Sequence, residues 1–378
     1  MMDFELNSEE KLIQKAIRDF VTKELPQGVV RELDGMGQFP EKQLTALSKL
    51  GFLGLTIPEA FDGEGVNIVE ACIVAEELAM GYPALAACYA NAVFGSGAVL
   101  ATLGSEDQKS RFLPGIARGE LWVALALLEA DDDAGGIETR AAPEGAGVVI
   151  SGEKPLVALG DVADAFLVLA RTGKTDDLAL YCVDGNAPGI TRNRVDTLGM
   201  HGENLVNVVF DRVWVESQAI LGGMDRQMTA PEQLEMIQNY QLLGIGAQAL
   251  GMARGAFGLA LSHAKNRVQF DQVIGKFTAI QEKLTDLLCD IAAAKFLVYN
   301  AALVASTGKK FTREVAMAKI KAARIAVQAS MDGLQVFGGY GYSMEYDIQR
   351  YVRDAAGTLS AGISNESLGL KIAKSMGL

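Results

Sequence analysis

Apolar residues recur at helical spacing through the first third of the chain. Leu12, Ile13, Ala16, Ile17, Phe20 and Val21 share one face, and Pro26 closes the run because it cannot continue a helix. Asn7 and Glu10 have the spacing of a capping box, each side chain able to satisfy a backbone N–H at the helix start. Pro40 stands where a first turn tolerates it, ahead of Leu44, Leu47 and Leu50. Residues 51–58 read as an extended connector, and 68–103, dense in Ala, Leu and Val, as one or two buried helices.

The period changes near Glu120. Residues 122–128, 147–151, 165–170, 178–183 and 206–214 are short apolar or alternating runs punctuated by Gly, Asp and Asn, the pattern of antiparallel strands. From Pro231 the helical period returns. Residues 241–266 are crowded with Gly and Ala, which lets helices approach closely, and 278–306 and 312–337 continue the pattern. The expectation is an α+β protein: a helical domain over 1–119, an antiparallel β domain over 120–228 and a helical bundle over 229–378.

A chain of 378 residues, 49% hydrophobic and 21% charged, has ordinary globular composition. Its net charge of −13 argues against nucleic acid, and leaves the phosphates of any anionic ligand to a local basic pocket. The start, MMDFELNSEE, has no basic segment before an apolar one, and no run is read as reaching the roughly 20 apolar residues of a membrane span. A cytoplasmic protein with no membrane contact is expected. Cys72, Cys88, Cys182 and Cys289 form no CxxC pair, and His201 and His263 lie in separate segments, so no metal site is expected.

Candidate chemistry concentrates in the last third. Arg267, Gln269 and Phe270 precede IGKF and AIQ within 274–281, and Gln335 opens a Q-x-x-G-G turn ending in Gly338 and Gly339. With the order helices, β domain, bundle, these motifs make nearly the whole chain resemble the acyl-CoA dehydrogenase family. That resemblance implies FAD and removal of two hydrogens from the α and β carbons of an acyl-CoA thioester. It also implies dimers or tetramers, homo- or hetero-oligomeric, and an electron-transferring flavoprotein as a possible partner. By the same resemblance Arg267 reaches an FAD pyrophosphate in the adjacent subunit, with Phe270 beside it. Gln335, Gly338 and Gly339 approach the adenosine half, and Ser364 and Glu366 the phosphate region. Each has a plainer reading: Arg267 ends a helix, Gly338 caps one, and Ser364 with Glu366 starts another.

The departures from the family pattern are specific. The two positions where members carry the proton-abstracting glutamate fall on Gly362 and Gln241, with Leu242 replacing an arginine; neither glycine nor an amide removes a proton as a carboxylate does. The loop 128–133 is crowded with acids, read as solvated rather than as a cation site. Residues 152–158, Gly-Glu-Lys-Pro-Leu-Val-Ala, supply neither the indole nor the hydroxyl that usually faces the flavin. Asp271 stands for a glycine, Thr278 for a glutamine, and His201 for an arginine with a structural role. Substitute bases are Tyr240, Asp161 or the 131–133 loop. Three readings stay open: an FAD oxidoreductase running as dehydrogenase or enoyl reductase, a non-oxidative acyl-CoA lyase, and a catalytically degenerate subunit that completes a partner's FAD site.

Overall fold

The computed structural model describes residues 6–129, 136–173 and 177–378, so the acidic stretch 131–133 lies outside the described residues. Helices α1 (Ser8–Glu24), α2 (Gln27–Met36), α3 (Glu41–Ser48), α4 (Ile68–Gly81), α5 (Pro83–Ala90), α6 (Ala98–Leu103) and α7 (Glu106–Arg118) build the first layer. The Asn7–Glu10 capping box forms, with both reciprocal hydrogen bonds under 3 Å. Between α5 and α6 the chain widens into a π-helical segment, Asn91–Gly97. Residues 51–58 are not extended. Without a neighbouring strand to take their backbone groups, they coil into tight turns, Gly54 N–H to Gly51 O and Ile57 N–H to Gly54 O, both 3.0 Å. Phe52, Leu53, Leu55 and Ile57 are thereby buried.

The second layer is a sheet of β1 (Val123–Ala126), β2 (Arg140–Glu144), β3 (Gly147–Val157), β4 (Ala165–Thr172), β5 (Asp177–Asp184), β6 (Ile190–Arg194) and β7 (Val206–Glu216). Its order is β1-β4-β2-β3-β7-β6, with β5 on β4. Here the expectation of an antiparallel sheet needs correction: β4 pairs parallel with both β1 and β2. Alternation along a strand reports which face is buried and carries no information on the direction of its neighbour. Phe166 and Phe210 meet edge to face in the sheet's own core.

The third layer starts with α8 (Ala230–Asn266), followed by a small hairpin of β8 (Val268–Gln269) and β9 (Gln272–Val273). Then come α9 (Thr278–Ser306), α10 (Thr312–Phe337), α11 (Ile348–Gly357) and α12 (Asn365–Ser375). Helix α8 runs through the molecule against α4, α5, α10 and α11. Its glycines make that contact possible. A methyl group at Gly251 would collide with the Glu76 carbonyl oxygen of α4, one at Gly255 with the Tyr351 ring of α11, and one at Gly244 with Ala90 and Phe94. Close approach buries charge, which is paired: Arg254 of α8 bonds Glu76 and Glu77 of α4, and Arg18 of α1 bonds Glu77 at 2.9 Å.

Three helical stretches, Pro83–Leu103, Ala230–Asn266 and Thr278–Ser306, are long and apolar enough to cross a membrane, which corrects the count of none made from the sequence. The most apolar parts of the first two are 89% and 72% buried inside the protein, so their hydrophobicity is spent on the core. Only 33% of the third is covered, leaving Leu288, Phe296 and Leu303 of α9 exposed.

The glycine face gives a direct test. Gly251→Ala should lower unfolding free energy by about 1–3 kcal/mol, because backbone rather than a movable side chain opposes the methyl. Gly258, which has open space around it on the same helix, should tolerate alanine or gain up to about 1 kcal/mol. Denaturant unfolding of both variants checks this.

Candidate active site

The three layers enclose a cavity of about 330 Å³. Gln241, Ile245 and Gln248 of α8, spaced to share a face, form one wall. Ala87 and Ala90 of α5 and Asn91 of the π segment form a second, and Leu125, Leu127 and Leu128 a third. The end of β3, with Pro155, Leu156 and Ala158, and the segment from Thr197 to Leu205 close the sheet side. Residues 356–362 complete it. Both positions where a base was expected, Gly362 and Gln241, therefore line one space.

Gly362 sits at φ +68°, and its Cα faces Ile245 and Leu242 of α8. A fully buried lysine fixes the loop that carries it: Lys319 Nζ of α10 donates to the carbonyls of Leu359 (3.0 Å) and Ile363 (2.8 Å). Burial pulls the Lys319 ammonium down to about 8, partly offset by Glu366, so it stays mostly charged at neutral pH.

The substitute bases taken from the sequence do not face this space. Tyr240 is turned away, with its ring 5.7 Å from that of Phe311, and Asp161 is exposed. Adjacent helical residues point about 100° apart, so Tyr240 cannot share the face of Gln241. Among the described residues the cavity's only carboxylate is Glu203, which the sequence reading missed. Its Oε1 accepts from Asn91 Nδ2 at 3.2 Å, and part of its surface opens on the cavity. Burial, helped by nearby Asp354, lifts its carboxyl to about 7 against the hydrogen bond from Asn91. Only its place two residues after His201, between Gly202 and Asn204, marks it in the sequence, and that spacing says nothing of orientation.

Glu129, at the edge of the acidic loop, does not crowd the cavity with charge. It turns inward to the fully buried Lys154 Nζ at 2.6 Å and accepts from the Thr139 backbone N–H at 3.0 Å. Burial alone would push the Glu129 carboxyl up, but Lys154 and the backbone donors outweigh it and hold the group below its usual range. This pair ties β3 to the loop after β1, the two segments that supply the sheet-side wall.

The same wall carries backbone strain. Leu156, Leu159, Met200 and Asn204 all take left-handed conformations, at φ +51°, +58°, +58° and +52°. Such conformations cost roughly 1–3 kcal/mol each and persist where the surroundings over-determine them. Asp354 of α11 is one such determinant: its buried carboxylate accepts from Met200 N–H at 2.6 Å, and burial raises it to about 6. His201 serves structure too, its ring nitrogens 3.0 Å from Asp34 O and 3.2 Å from Thr197 O.

A second, open cleft joins Arg267 to Gly338 and Gly339, with His263, Phe337 and Tyr340. The Arg267 guanidinium lies 5.0 Å from the Tyr340 ring centre and pairs with no carboxylate among the described residues. His263 stacks on Phe337, and burial together with Arg267 pulls its imidazole below the usual value. Gly338 also caps α10 at φ +62°, and Gln335 contributes its carbonyl to that cap. Phe270 is 87% exposed at the tip of the β8–β9 hairpin, where it and Asp271 both adopt φ > 0. Ser364 caps α12 through Ser367 N–H, and Glu366 lies in that helix's first turn. Neither lines the cavity.

Sequence comparison decides the family. Models of the N-terminal, middle and C-terminal domains of acyl-CoA dehydrogenases match residues 7–120, 128–213 and 238–377. The chain belongs to the acyl-CoA dehydrogenase family. It is 34% identical to the 3-(aryl)acrylate reductase of Clostridium sporogenes, covering 91% of this chain and 92% of that one. With CarC, a subunit of the caffeyl-CoA reductase–Etf complex of Acetobacterium woodii, it shares 31% identity over 92% and 93%. The solved butyryl-CoA dehydrogenase of Megasphaera elsdenii superposes with a TM-score of 0.94 at 31% identity, over 99% of this family member and 100% of that chain.

Lys154→Met should destabilise the protein by about 3–5 kcal/mol near neutral pH, since it strands a buried carboxylate. In the wild type the depressed Glu129 contributes stability above the ordinary carboxylate pKa and loses it as pH falls through its folded value. The gap between the two proteins should therefore narrow on acidification. Thermal unfolding across pH measures it.

Proposed function

We infer that this chain is an FAD-dependent oxidoreductase that oxidises or reduces the Cα–Cβ bond of an acyl-CoA thioester. The observation that carries the reading is the single cavity shared by Gly362 and Gln241, separate from a cleft where Arg267 stands without a carboxylate beside two open glycines. These donors fit the cofactor. An unpaired guanidinium and glycine backbone suit a pyrophosphate and an adenosine, and Leu127, Leu128, Leu156 and Ala158 offer an apolar wall to a flat ring. Bound FAD supplies the two-electron chemistry. The chain's own residues bind the thioester, exclude water with apolar walls, and hold the Gly362 loop in place through Lys319.

CarC, as its name states, works in a complex with Etf, and an electron-transferring flavoprotein is the electron partner proposed here. The bare face of α9 supports assembly with further copies, because monomers rarely leave contiguous apolar surface uncovered. The absence of a carboxylate at both base positions, Gly362 and Gln241, is what a lyase or a degenerate subunit would also show. An enclosed cavity with its own acid, Glu203, favours a chain that handles substrate itself.

The purified protein should be yellow, and its flavin band should bleach with an acyl-CoA or, once reduced, return with an enoyl-CoA. A chain that stays colourless with added FAD sinks the reading. Arg267→Ala should weaken FAD binding about 10- to 100-fold, by loss of a charge-assisted contact, in a flavin fluorescence titration. Light scattering should give a dimer or tetramer, and Leu288→Glu with Leu303→Glu should reduce it to smaller species. A wild-type protein that stays dispersed only in detergent would point the α9 face at lipid instead.

A further inference from the structure

The acyl end of the cavity carries a polar device that the chemistry of Cα and Cβ does not require. We propose that Glu203 and Asn91 form a selectivity element, and that the preferred acyl group bears a hydrogen-bond donor at the end remote from the thioester. This rests on the acyl-CoA reading above and deepens it.

Position along α8 separates the pair from the reacting carbons. Gly362 faces Leu242 and Ile245, next to and one turn beyond Gln241, and Gln248 lies three residues past Ile245, about 4.5 Å of helix rise. Exposure falls along this wall, from the partly exposed Gln241 to Gln248 at 3%. Gln248 donates to Pro83 O at 3.0 Å and touches Met200 Sδ at 3.9 Å. The short helical turn His201–Glu203 follows Met200 directly, and Asn91 follows Ala90, which packs against Gly244 beyond Gln241. Glu203 and Asn91 thus meet on the deep side of Gln241.

The hydrogen bonds fix the sign of the recognition. Asn91 Nδ2 donates to Ala87 O at 3.0 Å and to Glu203 Oε1 at 3.2 Å, both acceptors, so the amide cannot be flipped and its donors are spent. With Glu203 ionised, what remains for a ligand is acceptor capacity: the Asn91 Oδ1 and the second carboxylate oxygen. Apart from Gln241, the donors in the lining are directed elsewhere: Thr197 to Gly199 O, Gln248 to Pro83 O, Arg353 to Gln349 and Asp34, Thr358 to Ala355 O and Ser360 to Gly357 O. A carboxylate kept in such surroundings is costly until a ligand pairs with it. The backbone is built to keep it there. Asn91 opens the π segment, and the left-handed Met200 and Asn204 bracket the turn that ends in Glu203. An apolar acyl terminus leaves both acceptors unpaired, and a carboxylate terminus meets like charge.

The test compares hexanoyl-CoA with its terminal-hydroxy and terminal-carboxy counterparts on the holoenzyme at alkaline pH, where Glu203 is ionised, by calorimetric binding, kcat/KM and exchange of the α-proton in D₂O. The hydroxy compound should be preferred to hexanoyl-CoA at least about tenfold, and the carboxy compound should be worst. Glu203→Leu should reverse the order of the first two, and Glu203→Gln, the closer isostere should the leucine variant fail to fold, should shrink the preference. Equal treatment of hydroxy and plain acyl chains by the wild type overturns the proposal. So does a Glu203 variant that binds both thioesters yet exchanges the α-proton of neither, which would make Glu203 the base. A holoenzyme that binds no acyl-CoA removes the underlying reading and this proposal with it.

Discussion

The structure depends on how closely other helices approach α8. Helix-to-helix distances are set by the side chains between them, and α8 removes those side chains where α4, α5 and α11 cross. This draws the N-terminal helices, the bundle and the loop at 356–362 around one helix. Its intervening face, with Gln241, Ile245 and Gln248, is left to line the cavity. A wider spacing would part the walls and admit water to a space whose chemistry needs its exclusion.

Tight packing forces polar groups inside, and each of those near the cavity is tied to a wall. Arg254, Glu76 and Glu77 form a charged cluster at the α4–α8 crossing, and Tyr299 of α9 donates to Glu76 at 2.5 Å. Lys154 and Glu129 join the two sheet-side segments, Lys319 grips the Gly362 loop, and Asp354 holds Met200. Removing one partner strands the other in low dielectric, so these contacts fix geometry more firmly than neutral hydrogen bonds would. Glu203 differs from them. Among the described residues its side chain has one hydrogen-bond partner, an amide, and no cation pairs with it, which leaves it available to a ligand.

Family chemistry usually places a carboxylate on the loop or the helix that here present Gly362 and Gln241. The fold retains both sites as cavity wall without the acid. Strain and the nearest acid have instead collected on the sheet side and the π segment. Left-handed Leu156 and Met200 line the cavity, and Leu159 and Asn204 flank it. The specificity of this member is thus written on a different wall from the one where relatives carry their base.

Much of the fold was legible in the sequence because local rules fix it. The capping box at Asn7 and Glu10, the stop at Pro26, the small-residue face of α8 and the apolar strands β3, β4, β5 and β7 all follow from spacing within a few residues. Strands β2 and β6 were missed because Arg140–Glu144 and Ile190–Arg194 are largely exposed and lack an apolar alternation, and backbone pairing to β3 and β4 for the one and to β7 for the other holds them in the sheet. The parallel pairings of β4 were missed because its partners β1 and β2 lie about 30 to 40 residues away, and the turns at 51–58 because an apolar run does not itself say whether it will find a strand partner. At the site, motif spacing brought Arg267 to Gly338 and Gly339 and marked the empty base positions. It proposed Tyr240 and Asp161, which face elsewhere, and passed over Glu203. Local sequence determines what a segment can be, through periodicity, caps and glycines. Which carboxylate enters a cavity depends on how segments a hundred residues apart, here Asn91 and Glu203, are brought within 3.2 Å, and only the packed tertiary structure decides that.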